Sequence, residues 1–198
     1  MKSTNHAFEL CRDLEGFPDG ETYDAILNKF PGHLELWLSL IPPDSARFPS
    51  EVWFWASLDR VKQFDLLCTD VQWVVCSRRL LEALRAVGPF PHAAIPAHFR
   101  EVDQGDDATL EGDFFVLVIT EPTDALDYDA CEFAYEDDGA VDWVEAWAFK
   151  QPPSGLPPVF KVAEDKGPLL VSAPAAAVIT KGPFAGIELV PQHRIGGL

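Results

Sequence analysis

Three kinds of apolar pattern run along the chain, and each predicts a different element. "GDFFVLVIT" at 112–120 holds a continuous apolar run, as a strand covered on both faces requires, and it reads as the centre of a sheet. Leu80, Leu81, Leu84 and Val87 recur at helical spacing and form the buried stripe of a helix. "CEFAY" and "AVDWVEAWAF" flank "EDDG", which predicts two strands of a hairpin joined through acidic residues.

The helical stripe belongs to a pattern that occurs twice. Residues 73–97, "WVVCSRRLLEALRAVGPFPHAAIPA", and 168–191, "PLLVSAPAAAVITKGPFAGIELVP", both read strand, Ser, helix, Gly-Pro-Phe, strand. Ser77 and Ser172 stand where a hydroxyl can cap the free amides of the following helix, and both read as caps rather than nucleophiles. Gly88 and Gly182 are expected to end the helices in the left-handed conformation, with Pro89 and Pro183 blocking continuation. Pro174 falls in the first turn of the second helix, where a missing amide hydrogen does no harm. "QFDLLC" and "PVFKVA" precede the two copies at similar distances, so the repeated unit can extend to them.

The expected fold is α+β: a mixed or antiparallel sheet, the pseudo-repeated strand-Ser-helix-Gly-Pro-Phe-strand unit and an acidic β-hairpin. Residues 1–60 are expected to be an elaboration packed on a main unit of residues 61–198. Within that first part, "DGETYDAILNKF" predicts a short helix, while "HLELWLSLI" and "EVWFWASL" read as aromatic strands or buried segments. Trp53, Phe54 and Trp55 stand in succession, and core packing is the favoured reading for them over an exposed patch.

The hairpin register follows from its turn. A turn through Asp137, Asp138 and Gly139 segregates the two faces better than a shorter Asp138-Gly139 turn. It puts Phe133, Tyr135, Val141, Trp143, Trp147 and Phe149 on one face, expected to be core. The other face carries Glu132, Glu136 and Asp142 among Ala134, Ala140, Val144, Ala146 and Ala148. Glu145 is left on the aromatic side, against the pattern. The prediction is a flat, negatively charged sheet surface with small side chains between the carboxylates.

Charge sharpens that picture. The net charge is -17 over 198 residues, yet between Glu101 and Phe149 there are sixteen Asp and Glu and no Lys or Arg, which leaves 15 basic against 16 acidic residues elsewhere. A field of one sign repels nucleic acid and anionic lipid and attracts a cationic partner, so neither nucleic acid nor membrane is an expected partner. The longest apolar stretch is far too short to span a bilayer, and "MKSTNHAFELCRDLEG" lacks the apolar run of a secretory signal, so a cytoplasmic location is expected. Cys11, Cys68, Cys76 and Cys131 show no metal or redox spacing and read as buried small hydrophobes.

Candidate chemistry is sparse. His92 and His98 flank a Pro-containing strand with no third ligand nearby, which favours packed or surface histidines over a metal site. Asp124, Asp127 and Asp129 lie close enough in sequence to hold a cation, but they lack the glycine and terminal Glu of an EF-hand loop, and turn hydrogen bonding is the ordinary role of such residues. Carboxylates and six tryptophans could line a sugar cleft, a pattern of low specificity. No phosphate loop, nucleophile elbow or zinc helix is present, and no cofactor is expected. The alternative reading is a small carbohydrate-active or metal-dependent enzyme built on the Asp-rich turn.

Taken together, "FDLLC" before "VVCSRRLLEAL", then "VITEPTDALDYDACEFAYEDDG", "VFKV" before "LLVSAPAAAVI" and a closing "GIELVP" resemble the Imm11 family of immunity proteins of bacterial polymorphic toxin systems. The resemblance covers roughly residues 60–195 and is most specific at "DALD", residues 124–127, with the acidic hairpin after it. Its second repeated helix, "APAAAVITK", stands in place of a longer Leu- and Glu-rich pattern. The resemblance implies a non-enzymatic antidote that neutralises a cognate toxin by binding, with no catalytic motif to carry over. Toxins paired with such proteins are often nucleases, including HNH-like ones. A nuclease must present a basic cleft for phosphate, and an acidic inhibitor matches it. The residues expected to meet the partner are Glu132, Glu136, Asp137, Asp138 and Asp142, with Asp106 and Asp107.

Overall fold

The computed structural model describes residues 7–13, 23–28, 49–71, 73–102, 108–150 and 155–195. "HLELWLSLI", Asp106 and Asp107 lie outside the described residues. The larger sheet contains β2 (Ile26–Leu27), β3 (Val52–Ala56), β4 (Leu66–Leu67), β5 (Val75–Ser77), β6 (His92–Glu101) and β7 (Thr109–Ile119), in the order β2-β3-β6-β7-β5-β4. Its β3 and β6 run parallel and its other neighbours antiparallel, so the sheet is mixed. The smaller sheet contains β1 (Ala7–Arg12), β10 (Val159–Phe160), β11 (Leu170–Ser172) and β12 (Ile187–Pro191), in the order β10-β11-β1-β12, antiparallel throughout. The hairpin is β8 (Glu132–Tyr135) with β9 (Val141–Ala146). Helices α1 (Leu58–Val61), α2 (Arg78–Val87) and α3 (Ala173–Lys181) complete an α+β fold that is mostly sheet.

The "FFVLVI" run lies on β7, between β6 and β5, and both of its faces are covered. Phe114, Val116 and Val118 join Phe54, Phe99 and Val75 in one core, while Leu117 and Ile119 join the second. That second core lies between the sheets. Cys76 and Leu117 of the larger sheet meet Leu10, Val159 and Val171 of the smaller one, together with Leu80, Leu81 and Leu84 of α2 and Ala175, Ala176 and Ile179 of α3. A third core covers the opposite side of the smaller sheet, where Leu170 and Phe160 pack with Val144, Trp147 and Phe149 from the hairpin region. The hairpin is therefore rooted on the outer face of the smaller sheet.

Strand pairing is alike in the two sheets. Joined by α2, β5 and β6 flank β7, with β4 outside β5; joined by α3, β11 and β12 flank β1, with β10 outside β11. The helix boundaries differ in detail from expectation. Ser77 accepts a hydrogen bond from the Leu80 amide at 3.2 Å and donates its own proton to Asp65. Ser172 occupies the same position before α3, but its side chain makes no capping bond and its buried Oγ has no partner among the described residues. Pro174 removes one of the two amides such a hydroxyl could reach. Gly88 and Gly182 do end the helices, though neither is left-handed: φ is 164° at Gly88, which is extended, and -82° at Gly182. A residue that precedes proline is pushed toward extended backbone, and this outweighs the glycine preference. Gly182 nonetheless gives room to its neighbour, because a Cβ there would stand 2.3 Å from the Phe184 ring, which would have to shift.

Two buried carboxylates fasten the sheets together at their rims. Asp24 accepts from Arg12 Nε at 2.9 Å, from Arg60 Nε at 3.1 Å and from the Cys68 amide at 2.9 Å. Arg12 belongs to β1, whereas Asp24 immediately precedes the Ala25–Thr69 bridge and β2. Asp65, just before β4, accepts from Ser77 Oγ at 2.5 Å, from the Arg79 guanidinium and from the Ala185 amide at 2.9 Å, two residues ahead of β12. The helix predicted from "DGETYDAILNKF" is not found in its described part: Ala25 is bridged to Thr69, and Ile26 and Leu27 pair with Trp55 and Phe54. Phe54 of the aromatic triplet is fully buried as expected, while Trp55 is 38% exposed beside Ile26.

Candidate functional site

The acidic hairpin turns as its sequence predicts. The Glu136 amide donates to the Ala140 carbonyl at 2.9 Å, the Gly139 amide donates to the Glu136 carbonyl at 2.9 Å, and the Ala140 amide donates to Asp138 Oδ1 at 2.9 Å. Gly139 has φ 84°, the left-handed value that a turn of this length ends on. Tyr135 then pairs with Val141.

Beyond the turn the expected register fails. Ala134 pairs with Trp143 and Phe133 with Val144, and only then does Glu132 pair with Ala146. Asp142 and Glu145 are the extra residues of two bulges on β9. Each bulge shifts the alternation by one position, so only the short piece between them is turned over. Val144 is thereby buried to 1% exposure, and Trp143, expected in the core, is 50% exposed. Tyr135 is also corrected from core to surface, at 62% exposure, whereas Trp147 and Phe149 are buried as expected. Glu145, a misfit in a regular register, is exposed. Keeping that carboxylate out of the core is the physical reason for a bulge at its position.

Glu132, Glu136, Asp137, Asp138 and Asp142 are all exposed, in a segment without Lys or Arg. Glu132 on β8 and Glu136 just beyond its end lie two positions either side of Ala134, so alternation sets them on the same face as Trp143 opposite. On the opposite face, Tyr128 stacks on Phe133 at 5.5 Å, and Phe133 is followed by Tyr135 at 6.3 Å. The Tyr128 hydroxyl donates to Glu164, and this bond first, with burial second, raises its pKa to about 12. The root of the hairpin is held by the Leu126–Phe149 bridge and by Lys150 on Asp124 at 2.6 Å. The "DALDYD" carboxylates are not gathered into a cage. Asp124 takes Lys150, the Asp127 carbonyl accepts the Ala130 and Cys131 amides, and among the described residues no three His, Cys, Asp or Glu side chains come together as metal ligands.

Elsewhere, His92 Nε2 accepts from the Arg85 guanidinium, its Nδ1 donates to the Phe90 carbonyl and its ring stacks on Phe90, with burial lowering its pKa. The His98 ring lies against Trp53, with centroids 4.8 Å apart and the planes tilted by 37°. Burial pushes the Cys11 and Cys76 thiols up to about 12, so neither is poised as a thiolate. A groove of about 360 Å³ opens beside the start of α2, lined by Lys62, Asp65, Arg78, Arg79, Glu82 and Asp113 among others. Its Ser77 is engaged by Asp65 and the Leu80 amide, in the role of a cap. No described helix is long and apolar enough to cross a membrane.

Neighbouring positions on β9 give a stability test of the corrected register. Val144→Ala is expected to cost about 1–3 kcal/mol, because that side chain fills the third core. Trp143→Ala removes a far larger side chain and is expected to change stability by less than about 1 kcal/mol. Urea unfolding of the two variants measures the difference. Equal losses would return Trp143 to the core.

No curated protein matches the chain. Its match to a protein family is extensive, running from residue 15 to residue 192 and so including β2 and β3 as well as the region that carries the sequence resemblance. The chain belongs to the Imm11 immunity protein family.

Proposed function

We propose that this protein neutralises its cognate toxin by docking it on the acidic hairpin, and that the toxin is a basic protein, a nuclease of the HNH-like kind being the best fit. The supporting observation is the set of exposed carboxylates at Glu132, Glu136, Asp137, Asp138 and Asp142 in a stretch of 49 residues, Glu101 to Phe149, that has no cation. Asp106 and Asp107 extend the same run of charge in sequence. Such a surface attracts a phosphate-binding cleft from a distance and covers it on arrival, without any chemistry of its own. A nuclease inhibitor has to meet its target where nucleic acid is exposed, which places the proposed action in the cytoplasm.

The test uses the toxin domain encoded beside this gene, catalytically inactivated, with association followed by surface plasmon resonance. Glu136→Lys combined with Asp142→Lys is expected to slow association by about tenfold or more while leaving the melting temperature unchanged, because exposed charges steer but contribute little to folding. Wild-type association should slow steeply as salt is raised from low ionic strength to 0.5 M. Association that ignores both the salt and the charge reversals would remove the acidic face from the mechanism.

A further inference from the structure

The docking surface carries more than charge. Trp143 is half exposed and stands opposite Ala134, whose methyl leaves the indole uncovered from that side. Its exposure is specified by the strand geometry: the bulges at Asp142 and Glu145 enclose Trp143 and Val144, invert that pair, and leave Trp147 and Phe149 directed into the core. A regular strand would have set the indole on the face that holds Phe133 and Val144. Exposed tryptophan is unusual on a surface without a partner, and at interfaces it is the residue type that most often dominates binding.

The neighbours decide what such a ring can receive. Glu132 and Glu136 share its face, Asp142 and Glu145 flank the Trp143–Val144 pair in sequence, and all four are exposed. An apolar or acidic partner group would strip water from these carboxylates without replacing it. A guanidinium or ammonium group would satisfy them while lying against the electron-rich face of the ring. Resting on the docking function proposed above, we infer that Trp143 is the anchor of the interface and takes a cationic side chain, an arginine or lysine of the toxin, with Glu132 and Glu136 closing around its charge. The carboxylates govern how fast the toxin arrives, and the indole governs how long it stays.

The two roles separate kinetically. With the inactivated toxin domain encoded beside this gene as the probe, Trp143→Ala should raise the dissociation rate about 30-fold or more, with the association rate and melting temperature nearly unchanged. Trp143→Phe keeps a ring face and should recover most of the residence time, whereas Trp143→Leu, apolar without a π face, should not. Wild-type dissociation from Trp143→Ala overturns the anchor. Full recovery by Trp143→Leu overturns the cationic partner group. If either occurs while the Lys substitutions at Glu136 and Asp142 still slow association, the acidic docking face stands without this anchor; if the Lys substitutions are also silent, the docking face itself is lost.

Discussion

Asp24→Ala is expected to destabilise the protein by about 3–5 kcal/mol, read as a lower urea midpoint with an unchanged m-value. The Asp24 carboxylate is fully buried and Arg12 is 6% exposed at its side chain, so the pair sits away from water. Two charges in such a place roughly cancel the cost of their own dehydration, and their net value to folding is small. Removing only the carboxylate is another matter, since the Arg12 and Arg60 guanidinium groups then keep the cost of burial and lose the negative charge that offsets it, although Arg12 keeps the Asp13 carbonyl and the Phe64 ring. The Cys68 amide loses its acceptor as well. Because Arg12 is on β1 and Asp24 precedes β2, the damage falls on the junction between the sheets. A loss below about 1 kcal/mol would show that water reaches the arginines and that the clasp is a surface pair in practice.

Asp65→Asn should have the second large effect, about 2–4 kcal/mol, and it carries a pH signature. Burial pushes the Asp65 carboxyl up, but hydrogen bonds from Arg79, Ser77 and the Ala185 amide more than reverse this, so its pKa lies below the ordinary carboxylate value. A carboxyl with a depressed folded pKa stabilises the fold above its unfolded value, about 3.9, and that contribution is lost as the pH falls further. Wild-type stability should therefore fall below about pH 4 by an amount that the Asn variant, already lacking it, does not show. Arg79 is 56% exposed at its side chain and can regain water, which is why the expected cost is smaller than at Asp24. Parallel acid unfolding curves for the two proteins would assign the acid loss to other groups.

What the sequence made legible was local. The β7 run announces a strand covered twice because every position is apolar, and α2 announces itself by the spacing of Leu80, Leu81 and Leu84. The Asp137-Asp138-Gly139 turn could be read because Gly139 alone permits its backbone. Only two hydrogen-bonding positions later the reading broke down. The choice between a regular strand and two bulges depends on which side chain the smaller sheet can accept beneath β9, and Val144 rather than Trp143 fits there. That sheet draws on residues more than a hundred positions away, so no local pattern reveals it. Glu145 was the one available sign, a carboxylate placed by alternation where none can be buried. Asp24 and Asp65 were equally hidden: their partners are Arg12, on a strand of the other sheet, and Ala185, on the approach to another of its strands.

The smaller sheet also sets a timetable. Its strand β1, at residues 7–12, is synthesised well before both of its neighbours, β11 and β12, which come after residue 169. Until those strands leave the ribosome, β1 has no sheet to join, and the hairpin between residues 132 and 146 has no floor of Phe160 and Leu170 to stand on. Pairings of such sequence separation also close slowly. A nascent chain that already displays every carboxylate of the hairpin thus lacks the platform that sets their positions until β11 and β12 have been translated.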